Sequence, residues 1–172
     1  MITTDAFKDA MAAVCAPVTV MTTTCDDGPF GTTVSAFWSL SLRPPMVGLA
    51  LARDSELLGR LRATRRLGVN LLAEGQQDLA LNFARKGGGA KFDGISWTAD
   101  AGLPRLTAAP VWLVCDIEQF VPAGDHVVLV AAVAGTARRP ALPLVYAQRA
   151  FGTHSGLKEQ QAGPAMADGC YA

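Results

Sequence analysis

The 172-residue sequence lacks several features that mark common classes of protein. Lys+Arg and Asp+Glu number 15 each, so no excess of positive charge suggests binding to nucleic acid or to an acidic membrane surface. No apolar run approaches the ~20 residues that a membrane-spanning helix needs. Asp5, Lys8 and Asp9 interrupt the N-terminal region where a secretory signal peptide would be apolar. We therefore expect a cytoplasmic protein.

Signatures of metal and nucleotide binding are missing as well. The cysteines Cys15, Cys25, Cys115 and Cys170 form no C-x-x-C pair, and the sequence has only 2 histidines, which argues against a zinc site and favours free thiols. Neither a G-x-x-x-x-G-K-[ST] loop nor a G-x-G-x-x-G fingerprint occurs. The triple glycine Gly87-Gly88-Gly89 therefore predicts a mobile loop rather than a phosphate cradle.

Apolar residues are abundant for a chain of this length. Hydrophobic residues make up 50% of the sequence and the mean hydropathy is +0.24. A small domain has a limited interior for so many apolar side chains, so we expect a buried interface between subunits. Periodicity is lost from Ser155 onward, which predicts one domain over residues 1–154 and a loose or partner-bound tail over residues 155–172.

The apolar periodicity predicts a mainly β protein whose strands are joined by hairpins. Helical spacing predicts three helices, near Phe7–Val14, after Asp54 and over Gln76–Ala84, with Thr3 or Thr4 capping the first. Strands are predicted over Val18–Thr24, Met46–Ala52, Leu67–Leu72, Val111–Val121, Val127–Ala137 and, as a short pair, Leu144–Gly152. Many strands with hairpin connections favour an antiparallel barrel or sandwich over a parallel sheet.

The stretch from Gly31 to Pro45 reads as one strand that carries a row of hydroxyls. Thr33 and Ser35 alternate with apolar residues, and Ser39 and Ser41 continue the row, so a period of two would place these hydroxyls on one face. Pro44-Pro45 cannot donate backbone hydrogen bonds and would end the strand. Such a face could bind a flat, anionic ligand, or it could simply be a solvated Thr/Ser-rich face.

Two further places could contribute to a binding site. Arg53 stands beside the start of the second predicted helix, which Asp54 or Ser55 caps, so guanidinium, hydroxyl and free N–H groups could converge on a phosphate. The alternative is a routine cap with a solvated arginine. His126 is the last residue of a predicted wide hairpin tip, Pro122–His126. From there its side chain could reach a cleft, or it could be an ordinary surface residue.

In order and spacing, several segments are similar to the flavin reductase family of FMN-binding split barrels, the reductase components of two-component monooxygenases. The resemblance extends from Thr4 to Phe151 and rests on Gly31–Phe37 with Leu42–Pro45, Arg53–Ser55, Leu67–Leu72, Phe83-Ala84 with Lys91-Phe92, Gly124–His126 and Pro143–Tyr146. It implies an antiparallel Greek-key split β-barrel with a few flanking helices. It also implies a homodimer that binds FMN or FAD near each subunit boundary, takes hydride from NADH or NADPH, and supplies reduced flavin to a partner monooxygenase.

The resemblance also implies roles for individual residues. Thr33, Val34, Ser35, Ala36 and Phe37 would line the flavin, Ala50 and Leu51 would pack along its ring, and Arg53, Ser55 and Lys91 would serve its phosphate. His126 would lie near the nicotinamide. The sequence departs from the family's common form in its soft glycine-rich loop before Lys91 and in the tail after Ser155.

The function that the resemblance implies is a flavin reductase, in which the protein orients the reactants and the flavin supplies the chemistry. This fits the absence of a convincing His/Glu or Ser/His catalytic pair. Two alternatives stay open: an enzyme that holds FMN permanently and reduces a bound substrate such as a corrinoid, and a flavin-binding or electron-carrier module without nicotinamide turnover.

Overall fold

The computed structural model describes residues 2–154, in which strands dominate and helices flank them. The α-helices are α1 (Thr4–Ala12), α2 (Glu56–Thr64) and α3 (Gln77–Ala84), and a 3₁₀ helix covers Gly88–Phe92. The strands are β1 (Ala16–Pro17), β2 (Thr19–Cys25), β3 (Gly28–Val34), β4 (Phe37–Leu42), β5 (Pro45–Ala52), β6 (Arg66–Leu71), β7 (Trp97–Asp100), β8 (Leu103–Leu106), β9 (Val111–Ala123), β10 (His126–Arg138), β11 (Val145–Ala147) and β12 (Ala150–Gly152). The predicted tail and Cys170 lie outside the described residues.

Seven strands form one antiparallel sheet in the order β3-β2-β6-β9-β10-β5-β4. The two edge strands, β3 and β4, are consecutive in the chain and are separated only by Ser35 and Ala36. The sheet must therefore curl until its edges adjoin, and the amide of Ala50 in β5 donates to the carbonyl of Ala36 at 3.0 Å. The mainly β, antiparallel barrel with flanking helices that the sequence predicted is confirmed.

The inside of the barrel is filled by apolar side chains from its strands and from α2. Strand alternation sends Leu49 and Leu51 of β5 inward, and Leu57, Leu58 and Leu61 of α2 pack against them. The α2 helix begins at its cap residue Ser55, whose Oγ accepts from the amide of Leu58 at 3.5 Å. The sequence predicted both the cap and the apolar spacing of this helix, and both predictions are confirmed.

A second apolar cluster lies between the sheet and the elements outside it. Phe83 of α3 and Phe92 of the 3₁₀ helix meet edge to face, with ring centroids 5.0 Å apart, and pack with Val18 and Val20. Gly88 and Gly89 of the triple glycine, which was predicted to form a mobile loop, instead open the 3₁₀ helix, in which Lys91 and Phe92 are buried. The prediction of an irregular loop was therefore wrong at these two residues, and the mobility of the segment stays a prediction.

The hairpin formed by β7 and β8 did not stand out in the sequence. A buried amide holds it to the barrel: Asn70 in β6 donates through Nδ2 to the carbonyls of Val20 and Pro104 and accepts from the amide of Leu106 at 2.8 Å. Thr22 adds a hydroxyl bond of 2.7 Å to the carbonyl of Pro104. All these groups are buried and satisfied by one another, so their hydrogen bonds fix the hairpin to the barrel. The short, mixed sequence of the hairpin does not reveal these contacts.

Three predictions of absence concern metals, disulfides and membrane spans. Within residues 2–154, no cluster of His, Cys, Asp and Glu could hold a metal ion, and no helix is long and apolar enough to cross a membrane. The described cysteines, Cys15, Cys25 and Cys115, are unpaired. Burial raises the pKa of the Cys115 thiol to about 12, so this thiol stays protonated at neutral pH.

Candidate functional site

The chain leaves the sheet at Ser35 and Ala36, where β3 ends and β4 has not begun. The prediction of a single strand from Gly31 was therefore wrong. A bulge follows in β4, so that Ser39 pairs with Val47 and Ser41 with Met46. Those partners are adjacent in β5 and point to opposite faces, hence the predicted single row of hydroxyls does not form.

The break leaves polar backbone groups at the surface. Ser35 and Ala36 are exposed, and within residues 2–154 their amide N–H groups donate to no protein acceptor. Of the neighbouring residues, Val34 ends β3 with its side chain in the barrel core, and half-buried Phe37 begins β4 and packs against that core. Successive free amides beside a surface groove can bind carbonyl or anionic oxygens of a ligand.

The end of β5 lies directly beside this break. Ala50 is hydrogen-bonded to Ala36, while Leu51 alternates inward and is buried at 5% exposure. Arg53 is exposed just after the strand, and its amide donates to the carbonyl of Asp125 at 3.0 Å. Ser55 uses its hydroxyl to cap α2. Arg53 therefore stands two residues before Ser55, close in the chain to a helix N-terminus where a phosphate would be stabilised.

His126 is the first residue of β10 and pairs with Ala52 at the end of β5. The predicted wide hairpin tip is wrong, because β9 runs to Ala123 and leaves a two-residue turn, Gly124-Asp125, with Gly124 at φ 61°. The His126 Nδ1 lies 2.8 Å from Oδ1 of Asp125. This hydrogen bond is the main reason that the pKa of the Asp125 carboxyl is lowered.

Thr33 and Lys91 lie on the other side of the break, next to α3. The Thr33 hydroxyl donates to the carbonyl of Ala80 at 2.6 Å. The Lys91 ammonium is buried and donates to the carbonyls of Gly31 and Phe83 at 3.1 and 3.2 Å. Burial lowers the pKa of Lys91, and the carboxylate of Glu56 offsets part of that effect.

Apart from Val34, whose side chain lies in the barrel core, the predicted residues fall into two groups. The first contains the three segments Ser35–Phe37, Ala50–Ser55 and Asp125–His126, which the sheet register and two backbone hydrogen bonds bring together. Thr33 and Lys91 form the second group, in which both polar side chains already bond to backbone carbonyls. The ligand contacts assigned to all of these residues stay predictions.

Two surface hollows meet at Ser35 and Tyr146. The smaller one, of about 260 Å³, lies between Thr33, Leu81 and Phe151. The larger one, of about 600 Å³, lies between α1 and the break after β3 and includes Ala36 in its wall. A volume of this order accommodates a small ligand.

The sequence did not single out Asp125 by itself or Tyr146 as parts of the site. Asp125 could have been noticed, because a carboxylate next to the only histidine at a hairpin tip is a common way to orient an imidazole. Tyr146 could not, since its place beside Ser35 depends on the pairing of β11 with β1.

Comparison with known proteins identifies the family. The sequence matches the flavin reductase like domain over residues 11–155. It is 36% identical over 128 residues to the NADH:FMN oxidoreductase of Rhodococcus qingshengii, covering 74% of this chain and 67% of that protein. It is 31% identical over 163 residues to the flavin-dependent monooxygenase reductase subunit HsaB of Mycobacterium tuberculosis, covering 92% and 85%.

Solved structures agree with this assignment. Nitrilotriacetate monooxygenase component B from Mycobacterium thermoresistibile superposes with a TM-score of 0.88 at 27% identity, covering 98% of this chain and 94% of that one. The Streptomyces globisporus NADH:FAD oxidoreductase SgcE6, solved with NAD and FAD fragments, gives a TM-score of 0.84 at 26% identity, with coverages of 92% and 94%. The chain therefore belongs to the family of flavin reductase like domains.

Proposed function

We propose that this protein is a flavin reductase that uses NADH to reduce FMN or FAD and supplies the reduced flavin to a partner monooxygenase. The observation that carries the proposal is the convergence of Ser35–Phe37, Ala50–Ser55 and Asp125–His126 on one surface. Relatives named as NADH:FMN oxidoreductase and as monooxygenase reductase subunits support it. The flavin supplies the chemistry, because its N5 accepts the hydride that leaves C4 of the nicotinamide.

The groups on this surface fit a flavin. Free amides at Ser35 and Ala36 offer hydrogen bonds to the oxygens at the edge of the ring. The small side chain of Ala50 leaves room for a flat ring against the outside of β5. Arg53, at the N-terminus of α2, compensates the phosphate of FMN. The side chains of Val34 and Leu51 are buried, so these two residues can contact the flavin only through their backbone. The other residues contact it through their exposed groups.

His126 orients the nicotinamide in this proposal. Its Nδ1 is held by Asp125, so Nε2 is left to face a bound substrate. The amide of Arg53 donates to the carbonyl of Asp125, which links the phosphate-binding turn to the turn that carries the histidine. Neither residue needs to transfer a proton during hydride transfer, so their role is to fix the distance and angle between the two rings.

The protein acts as a homodimer in this proposal. Strand β4 is a sheet edge that leaves Trp38, Leu40 and Leu42 at 40%, 42% and 58% exposure, and Val121 of β9 is exposed at 43%. The indole of Trp38 covers Gly48 of β5, where an added Cβ would lie 2.3 Å from it. An exposed apolar edge strand of this kind favours burial against a second copy. As the sequence predicted, we place the dimer in the cytoplasm, where NADH is available.

NADH oxidation by the purified protein tests the function. The absorbance of NADH at 340 nm should fall only when FMN or FAD is added, and under anaerobic conditions the flavin should bleach in a one-to-one ratio. A protein that binds flavin but leaves NADH unchanged would be the carrier module that the sequence left open. Repeating the assay with NADPH, and with FMN against FAD, decides the preferred substrates.

A further inference from the structure

Asp125 contacts both ends of the candidate site through different atoms. Its carboxylate Oδ1 lies 2.8 Å from Nδ1 of His126, and its backbone carbonyl accepts from the amide of Arg53 at 3.0 Å. The side chain of Asp125 is 95% exposed, so its hydrogen bond does not serve the packing of the core. One surface residue therefore joins the side chain assigned to the nicotinamide and the residue assigned to the flavin phosphate.

The turn that carries Asp125 is held by strands on both sides. His126 pairs with Ala123 of β9 and with Ala52 of β5. Of the two turn residues only Gly124 has a positive φ, at 61°, as in a type II′ hairpin turn. The backbone of His126 is thus fixed by the sheet. What the carboxylate of Asp125 can still adjust is the orientation and hydrogen bonding of the imidazole ring.

The carboxylate of Asp125 is under the influence of two neighbours. The hydrogen bond with His126 is the main reason that the pKa of this carboxyl is lowered, and the positive charge of Arg53 lowers it further. Arg53 therefore attracts the same carboxylate that bonds to the imidazole. An anion that neutralises Arg53 would remove this attraction and make the carboxylate a stronger acceptor for the imidazole N–H.

A stronger hydrogen bond at Nδ1 of His126 changes what Nε2 presents to a ligand. An ionised carboxylate only accepts hydrogen bonds, so in the neutral imidazole Nδ1 carries the proton and Nε2 is the acceptor. The more firmly Asp125 holds the Nδ1 proton, the more basic Nε2 becomes and the better the ring is oriented. The carboxamide of a nicotinamide supplies N–H donors for such an acceptor.

We propose that Asp125 is a positioning residue through which the phosphate of FMN strengthens the binding of NADH. The phosphate neutralises Arg53, the carboxylate of Asp125 then holds His126 more strongly, and the imidazole binds the nicotinamide more tightly. This inference rests on the proposed function, because it adds a coupling between the two ligands of that reaction. Riboflavin, which lacks the phosphate, leaves Arg53 charged and does not produce the coupling.

Anaerobic stopped-flow reduction of protein-bound FMN and of protein-bound riboflavin by NADH tests the proposal. The dependence of the reduction rate on NADH concentration gives the Kd of NADH separately from the limiting rate. In the wild type, this Kd should be about fivefold lower with FMN than with riboflavin, at the lower end of allosteric couplings because the charges are exposed. Equal Kd values with the two flavins would overturn the proposal.

Two substitutions should remove the coupling in different ways. Asp125→Asn takes away the charge but keeps an acceptor, in a turn position that suits Asn. Its Kd for NADH should be the same with both flavins and close to that of the wild type with riboflavin. Arg53→Ala, assayed with riboflavin, should lower the Kd of NADH about fivefold, toward the value that the wild type has with FMN, because no cation attracts the carboxylate.

Asp26→Asn is the matched control. Asp26 is an exposed carboxylate in the two-residue turn between β2 and β3, so this variant should keep the wild-type ratio of the two Kd values. A fivefold ratio that persists in Asp125→Asn would overturn the proposal, even if both Kd values change, because Asp125 would then only support the turn. A raised Kd in Arg53→Ala with riboflavin would also overturn it, since Arg53 would then contact NADH itself. If NADH reduces neither flavin in the wild type, the proposed function has failed, which is a separate result.

Discussion

At the scale of single residues, the proposed function assigns the flavin phosphate and the nicotinamide to different side chains. Arg53 and His126 stand at the ends of neighbouring strands, joined through the amide of Arg53 and the carbonyl of Asp125. The proposed function assigns each side chain to a different ligand, so single substitutions should affect different affinities.

Arg53→Ala should weaken FMN binding about ten- to a hundredfold and leave riboflavin binding nearly unchanged, because only FMN carries the phosphate and a charge-assisted contact is worth about 1.5–3 kcal/mol. Fluorescence titration with both flavins measures this. Arg43→Ala is the matched control, since Arg43 is exposed at the opposite end of β5. Equal losses for the two flavins would remove Arg53 from the phosphate site.

His126→Ala should raise KM for NADH and slow hydride transfer, at a cost of about 1–3 kcal/mol for one lost orienting contact. Affinity for FMN should change little, because the proposed function assigns the phosphate and ring contacts to β5 and to the break after β3. Stopped-flow reduction of bound flavin separates the chemical step from binding. Wild-type values for both constants would make His126 an ordinary turn residue.

Sequence reasoning could name these residues but not all their neighbours. Arg53, Ser55 and His126 follow from a helix start and a hairpin tip, both of which are local patterns. The buried ammonium of Lys91 depends instead on how the 3₁₀ helix packs under α3, since both of its acceptors lie in other elements. No local pattern reveals such a contact.

At the scale of elements, the helices and most strands were predictable and the break after β3 was not. Alternation of hydroxyl and apolar residues continues through Ser35 and Ala36, so the sequence reads as an unbroken strand. The structure breaks there because β3 pairs with β2 and β4 with β5, at opposite edges of the sheet. Only the three-dimensional closure of the barrel requires the chain to change edge at that point.

Replacing either of two glycines by alanine should change the stability of the protein, in opposite directions at the two positions. A Cβ at Gly68 in β6 would lie 2.3 Å from the buried indole of Trp112, so Gly68→Ala should destabilise the protein by about 1–3 kcal/mol. At Gly59, inside α2, a Cβ would meet no described atom within 4 Å, so Gly59→Ala should stabilise it by about 0.5–1 kcal/mol. Urea unfolding of both variants measures the difference, and equal shifts would contradict this packing.

Lys91→Met tests whether the buried ammonium fastens the 3₁₀ helix to α3. Two carbonyls lose a donor, which should cost about 1–3 kcal/mol of unfolding free energy. Burial lowers the pKa of Lys91, so below its usual pKa of 10.5 the unfolded chain binds the proton more readily than the folded one. The stability of the wild type relative to the variant should therefore rise as the pH is raised from neutrality toward 10.5.

Lys86→Met controls for the loss of a lysine charge in that experiment. Unfolding curves at several pH values give the difference between wild type and variant, in which other titrating groups cancel. A difference that is flat with pH would mean that the ammonium is solvated. Selective loss of affinity for FMN over riboflavin in Lys91→Met would instead favour the phosphate role that the resemblance implied.

At the scale of the whole molecule, the exposed edge strand β4 should be covered by a second subunit. Light scattering on the purified protein should give about twice the chain mass of 18.0 kDa at micromolar concentration. Trp38, Leu40 and Leu42 form an exposed apolar strip on β4. Trp38→Glu places a charge in this strip and should shift the mass toward the monomer. Gln77→Glu adds the same charge on α3, away from that strip, and should not. A wild-type mass near 18 kDa would contradict the dimer.

The position of β3 and β4 at opposite edges of one sheet also has a consequence for folding speed. The pairs that close the barrel join residues far apart in the chain, such as Thr22 with Gly68 and Leu49 with Leu129. Such pairs give a high contact order, because long loops must lose entropy before these contacts form. Strands β4 and β5 form a local hairpin, which in the described sheet joins the other strands through β10, made nearly 90 residues after β4. During synthesis, the hairpin in the first third of the chain therefore cannot join the sheet until the last third has been made.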